Sequence, residues 1–259
     1  KHFAASTFLL QPFFPSADYF FSFNSPSWSL GCEQLFYFCF PLIVPFLHTK
    51  RSLFITLLIC LPIMLAGMYL TNEEQIKAYW YVNPFTRLPD FFVGVLLYQF
   101  YRSLCNKKLS YSTGTLLEAG AVALFLLFFL CAADIPKVYR YSCYYWLPVS
   151  LIILIFALQQ GGISRLLSNR FLIIGGEISY SFYLIHLFII DAYMRMSAHY
   201  HWQIQWTISV PVILCITIIL SLLSFYYFEK PANKWVKRIF TKKTIINQPH
   251  GIINKNTAN

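Results

Sequence analysis

WTISVPVILCITIILSLLSFYYF, residues 206–228, contains no charged side chain. At about 1.5 Å of rise per residue, a helix of this length crosses the roughly 30 Å hydrocarbon core of a bilayer. Working back from it, six further apolar stretches are candidate spans, shorter ones being admitted if buried within a bundle: 28–47, 52–70, 88–101, 116–133, 145–158 and 178–194. The stretches 88–101 and 145–158 are short, and Pro148 falls near the start of the second. Backbone polar groups at membrane depth must be satisfied within the protein, which a helix does inside one segment. The sequence therefore predicts an all-α fold, a polytopic transmembrane helix bundle of about seven spans in residues 1–243. A polar tail, 244–259, follows and is expected to be disordered.

Composition supports that reading. Of 259 residues, 58% are hydrophobic, 19% aromatic and 12% charged, against roughly 25% charged in ordinary globular chains. One soluble core cannot hide so much apolar surface, which excludes an ordinary cytosolic enzyme. Disorder is excluded too, because disordered chains are poor in these residues. The net charge of +10 would suggest nucleic acid in a soluble protein, but here it has a topological reading and no nucleic-acid partner is expected. One alternate set of loops carries Lys50, Arg51, Arg102, Lys107, Lys108, Arg165, Arg170 and the basic run from Lys230 to Lys243. The other set carries only Lys77, Arg87, Lys137, Arg140 and Arg195. The positive-inside rule then places the C-terminus in the cytoplasm and the residues before Trp28 outside. Tyr79, Trp80, Tyr81, Tyr139, Tyr141, Tyr144, Tyr145, Trp146, Tyr200, Trp202 and Trp206 fall in the outer loops, at headgroup level. Residues 1–27, broken by Pro12 and Pro15, read as an outer-face or re-entrant segment. The chain opens on Lys1 without a signal-peptide pattern and is expected to continue upstream.

The seven cysteines are scattered singly, without C-x-x-C or metal-ligand spacing, so no metal is expected. They read as small buried hydrophobes, with Cys131 and Cys143 as the one pair facing a disulfide-permissive side. Ionisable groups inside a bilayer cost at least a few kcal/mol and are functional candidates by default. Glu33, Asp90, Glu118, Glu177, Asp191 and Glu229 lie in spans or at their ends. Each also has a plainer reading, as a helix-end residue paired with a nearby cation. Glu33 lies one turn inside its span, where a buried partner or a polar cavity is expected. His186 shares a helical face with Tyr183 and Phe182, at i−3 and i−4. It reads as a cavity residue or, more commonly for a lone histidine, a structural one. No G-x-S-x-G elbow, glycine-rich phosphate loop or H-E-x-x-H pair is present.

Four segments, in order, carry a resemblance. Ser27-Trp28-Ser29-Leu30-Gly31-Cys32-Glu33-Gln34-Leu35-Phe36-Tyr37 runs on to Phe40-Pro41-Leu42, and Arg87-Leu88-Pro89-Asp90-Phe91-Phe92-Val93-Gly94 opens the third span. Gly176-Glu177-Ile178-Ser179-Tyr180-Ser181-Phe182-Tyr183-Leu184-Ile185-His186 and Tyr227-Phe228-Glu229-Lys230-Pro231 complete the set. Together they resemble the acyltransferase-3 family of bacterial inner-membrane O-acyltransferases. The resemblance implies an enzyme with about ten spans that moves an acyl group, usually acetyl, from cytoplasmic acyl-CoA to a sugar hydroxyl of a surface or exported glycan or glycolipid. The acyl-CoA is a co-substrate, and no bound cofactor is expected. The family's catalytic Arg and His lie upstream of the matched motifs, so this chain holds no catalytic residue by motif and is not expected to act alone.

What the chain holds, on this resemblance, is the rest of a cavity: Trp28, Glu33, Arg87, Asp90, Tyr183 and His186, with Glu229 and Lys230 on the donor side. Glu229 is expected to order the basic segment Lys230 to Arg238, which would meet anionic lipid or donor phosphates. Gly94 and Gly176 are expected to allow close helix approach. The alternative function is a transporter or flippase-like protein that carries a glycan or lipid without covalent chemistry.

Overall fold

The computed structural model describes residues 2–46, 49–201 and 205–246, without the side chains of His2 and 241–246. Lys1, Leu47 at the end of the first expected span, Trp202 among the headgroup aromatics, and most of the expected tail, 247–259, lie outside the described residues. Eight helices carry the architecture: α1 (Trp28–Ile43), α2 (Lys50–Tyr69), α3 (Pro84–Leu104), α4 (Tyr111–Cys131), α5 (Trp146–Leu158), α6 (Arg170–Tyr200), α7 (Trp206–Ser224) and α8 (Lys230–Ile246). There is no strand among the described residues. The protein is all-α, and each of the seven expected spans coincides with one of α1 to α7. Four helical runs are long and apolar enough to cross a membrane: Lys50–Tyr69, Tyr111–Asp134, Arg170–Tyr200 and Trp206–Phe240. Only 11% to 22% of their apolar windows is buried within the protein. Their outward rows, such as Phe54, Leu58 and Ile63 on α2 or Ile208, Val210 and Ile219 on α7, therefore need a hydrocarbon solvent.

Local chemistry sets the helix ends. Thr49 and Ser52 form a reciprocal capping box at the start of α2. Asn83 Oδ1 accepts from the Phe85 N–H at 2.9 Å, with Pro84 preset at the first helical position of α3. Ser110 Oγ accepts from the Thr113 N–H at 3.1 Å to open α4. Residues 2–27 fold as short helical turns, of which Gln11–Phe13 and Ser25–Ser27 pack on α1.

Residues 1–173 and 174–259 form two compact units. In the first, α3 is central and packs on α1, α2 and α5, while α5 packs on α4. Leu53 and Phe92 form one buried cluster between α2 and α3. Met64, Met68, Ile76, Trp80 and Val138 form another. Trp80 Nε1 donates to Thr71 Oγ1 at 2.8 Å, and its ring lies so close to Gly67 that a Cβ there would come within 2.9 Å. In the second unit, Tyr193 and Ser209 hydroxyls lie 2.5 Å apart between α6 and α7. The buried Thr217 and Ser221 return their hydroxyls to helical carbonyls four residues back, each at 2.7 Å.

Close approach is found where the sequence did not place it. Nothing lies within 4 Å of a Cβ built on Gly94 or Gly176, so these two glycines do not set helix spacing. The tight contacts are at Gly31, Gly67, Gly114, Gly161 and Gly162. All the described cysteines are free, including Cys131 and Cys143, and Cys105, Cys131 and Cys215 are exposed instead of buried.

The strongest polar lock in the first unit joins α4 to the turn after α5. Glu118 is 1% exposed, and its carboxylate accepts backbone N–H groups from Gly161 (3.0 Å), Ile163 (2.8 Å) and Ser164 (3.1 Å). These donors open the short helix Gly162–Leu167, whose first N–H groups have no helical acceptor. Gly161 sits so close to the carboxylate that no Cβ fits. Glu118 is thus a helix cap, which accounts for an acid inside an apolar helix. Glu118→Ala is expected to lower stability by roughly 3 kcal/mol or more, because three N–H donors, two of them buried, lose a charged acceptor. Gly161→Ala should destabilise by a comparable amount, and thermal unfolding in detergent measures both. An unchanged midpoint would remove the lock from this account.

Candidate functional site

The first unit brings Trp28, Arg87 and Asp90 together. Arg87 and Asp90 sit one turn apart at the start of α3, and Arg87 Nη1 lies 3.0 Å from Asp90 Oδ2. The other carboxylate oxygen, Oδ1, accepts from Trp146 Nε1 of α5 at 2.5 Å. Arg87 Nε donates to the Tyr81 carbonyl at 2.9 Å, and the guanidinium lies 5.6 Å from the centre of the Tyr81 ring. Tyr81 in turn meets Trp28 with ring centres 4.8 Å apart, and Tyr141 at 5.0 Å. The arrangement is an ion pair fixed at the helix start, ringed by Trp28, Tyr81, Tyr141 and Trp146.

Arg87 and Asp90 are only 16% and 31% exposed. Partial burial strengthens this pair beyond a surface salt bridge, and the Trp146 hydrogen bond orients it. In the turn that carries Tyr141, two buried polar atoms, Arg140 Nε and Ser142 Oγ, have no hydrogen-bond partner among the described residues. The rings around the fixed guanidinium and carboxylate give this cluster apolar faces beside charged groups.

Sequence reasoning assigned Tyr81, Tyr141 and Trp146 to the headgroup belt and missed their part in this cluster. Their density in two loops was the available signal. Glu33 departs from expectation in the other direction. It is exposed, and no hydrogen bond or ion pair engages it among the described residues. Its chain neighbour Cys32 faces inward, its thiol 3.3 Å from the Val82 carbonyl, while Glu33 faces out. A single residue step rotates a side chain by about 100°.

The second unit holds the remaining candidates. His186 Nδ1 lies 2.7 Å from the Tyr183 carbonyl and 3.2 Å from that of Phe182. Carbonyl oxygens only accept, so in these contacts Nδ1 is the donor. The ring lies parallel to Phe182, with centres 6.0 Å apart. His186 lines a cleft of about 480 Å³ between α6 and α7, together with Tyr193, Ser209 and Thr217. Tyr183 is not among the lining residues; its ring centre is 6.0 Å from that of His186.

Glu229 does not organise the basic segment after it. Its Oε2 accepts from Ser181 Oγ at 3.0 Å, tying the π-helical turn Phe225–Glu229 to α6. Lys230 instead sets its ammonium 5.2 Å from the Tyr226 ring centre and 5.8 Å from that of Phe225. Of the other intramembrane acids, Asp191 pairs with Arg195 at 2.8 Å on an exposed helix face, which is the plain reading of such a residue. No cluster of three or more His, Cys, Asp or Glu is arranged to hold a metal ion among the described residues.

Comparison with known proteins supplies the class that the four sequence motifs suggested. The profile of the Acyltransferase domain family matches residues 2–226, so the chain belongs to the acyltransferase-3 family. It is 28% identical over 221 residues to O-acetyltransferase OatA of Staphylococcus aureus (strain NCTC 8325 / PS 47), covering 80% of this chain and 36% of the relative. It is 24% identical over 215 residues to acyltransferase MdmB of Streptomyces mycarofaciens, covering 77% and 54%. It is also 26% identical over 255 residues to YrhL of Bacillus subtilis (strain 168), whose name proposes peptidoglycan O-acetylation, covering 91% and 39%. The chain thus spans between about a third and just over half of the length of these curated relatives. No solved structure matches it.

Asp90→Ala leaves a mostly buried guanidinium and an indole N–H without their acceptor, and is expected to cost about 2 kcal/mol of stability. Asp90→Asn, which keeps an acceptor for Trp146, should cost less. Arg87→Ala combined with Asp90→Ala should be less than additive, because the two share one interaction. Additive losses in thermal unfolding would show that the ion pair is not coupled.

Proposed function

We propose that the protein works as the membrane O-acyltransferase part of a larger enzyme, moving an acetyl group from cytoplasmic acyl-CoA to a sugar hydroxyl of a surface or exported glycan or glycolipid. The observation that carries this reading is the Trp28–Tyr81–Tyr141 aromatic row set against the Arg87–Asp90–Trp146 anchor. Rings of this kind stack on the C–H faces of a sugar, and the adjoining guanidinium suits its hydroxyls. The names of OatA and YrhL support acetyl as the transferred group, and that of YrhL supports a glycan such as peptidoglycan as the acceptor class.

The reaction needs a base to take the acceptor proton and donors to stabilise the oxyanion formed when the hydroxyl oxygen attacks the thioester carbonyl. The C–S bond then breaks, and the thiolate of CoA leaves and is protonated. By resemblance, the base and a catalytic arginine belong to upstream residues. The residues described here bind and orient the acceptor, and Glu229 and Lys230 lie toward the donor. The reading places the protein in the bacterial inner membrane with its C-terminus in the cytoplasm, as the loop charges support.

In cells making the full-length enzyme, Trp28→Ala, Tyr81→Ala and Tyr141→Ala are each expected to lower ester-linked acetate on the glycan roughly tenfold, about 1.4 kcal/mol of transition-state binding. Membrane levels of the protein should be unchanged. Mass spectrometry of the isolated glycan reads the result. Full acetylation in all three variants would remove the aromatic row from acceptor binding. Loss of glycan export with the acetate content of the exported material unchanged would instead favour a transporter.

A further inference from the structure

Helix α8, Lys230–Ile246, carries two exposed faces of opposite chemistry over Pro231 to Phe240. Every residue from Pro231 to Phe240 is exposed, including Trp235 at 66% and Phe240 at 65%. With about 100° per residue, Trp235, Val236, Ile239 and Phe240 share one side, at spacings of one, four and five. Lys230, Lys234, Lys237 and Arg238 share the opposite side, at four, seven and eight. No acidic residue falls between Lys230 and Asn259. The charge alone was legible in the sequence; the unburied apolar row is what the fold adds.

The position of α8 narrows the occupant of these faces. Residues 206–228 supply about 34 Å of helix at 1.5 Å per residue, enough to exhaust the hydrocarbon core. The basic helix therefore begins where the span reaches the headgroups. At that junction lies the π-helical turn Phe225–Glu229, held by the Ser181–Glu229 hydrogen bond and by Lys230 over Tyr226. A π-turn breaks the regular ladder and is a common site of helix redirection.

We propose that α8 is an interfacial helix that docks on the anionic lipid surface of the membrane crossed by α7. Trp235, Val236, Ile239 and Phe240 insert at the acyl boundary, while Lys234, Lys237 and Arg238 meet lipid phosphates. Exposed apolar and basic rows on one helix, continuous with a membrane span, match such a surface in both charge and hydrophobicity. The inference is independent of acyl transfer.

The test uses the full chain reconstituted in vesicles of brominated phosphatidylcholine, alone or mixed with brominated phosphatidylglycerol. Bromine quenching of Trp235 is read as the difference between the chain and its Trp235→Phe variant. Quenching is expected to rise about twofold in the anionic vesicles and to fall back at about 0.5 M salt, where the Debye length shrinks to a few ångströms. The Lys234→Gln, Lys237→Gln, Arg238→Gln triple variant should lose the lipid dependence. Equal quenching in both vesicle types would overturn the proposal. So would burial of Trp235 that needs soluble acyl-CoA in vesicles without anionic lipid, since that would assign the basic row to donor phosphates. The salt arm uses the unaltered chain and decides the question even if the triple variant folds poorly.

Discussion

A carboxylate surrounded by apolar helices persists only when its oxygens are matched by donors, and two such carboxylates organise the first unit. Asp90 divides its oxygens between Arg87 on its own helix and Trp146 on α5. Glu118 spends both oxygens on the three backbone N–H groups that open the helix after α5. Desolvation makes an unmatched oxygen costly at either place. Helix α5 is therefore pinned at both ends, to α3 through Trp146 and to α4 through the turn it leads into. These bonds add to the close packing of α5 against α4 and α3.

The same constraint shapes the candidate site. Because Asp90 holds Arg87, the guanidinium presents itself to Tyr81 instead of sweeping through solvent, and Tyr81 bridges Trp28 and Tyr141. Three separated segments thereby contribute to one wall: the start of α1, the π-helical turn before α3 and the turn before α5. The cost of rigidity is met by structural bonds, so a ligand need not order the site itself. In the second unit the polar groups serve differently. Ser181 with Glu229 and Tyr193 with Ser209 join neighbouring helical segments, while the His186 hydrogen bond stays within its own helix.

The roles of individual residues were unevenly legible. Thr49, Asn83 and Ser110 announce helix starts because capping is a contact between residues two or three apart. Glu118 looked like an unexplained charge because its partners lie more than forty positions away, in a turn whose N–H groups are anonymous in sequence. Glu33 looked buried by its depth in the span, but depth says nothing of the direction around the helix. Glu229 was expected to serve the basic run beside it, yet it turns to Ser181, and Gly94 and Gly176 pack against nothing that their small size would admit.

Sequence by itself determined the fold class, the seven apolar helices and the acyltransferase-3 resemblance, since each rests on runs and motifs that are contiguous along the chain. Tertiary structure alone decided which aromatic residues surround Arg87, what Glu118 satisfies, which glycines are indispensable and which face of α8 is left bare. The physical reason is that hydrogen bonding and close packing are pairwise and directional. Their partners are set by how helices cross, and periodicity records a face without naming what lies against it.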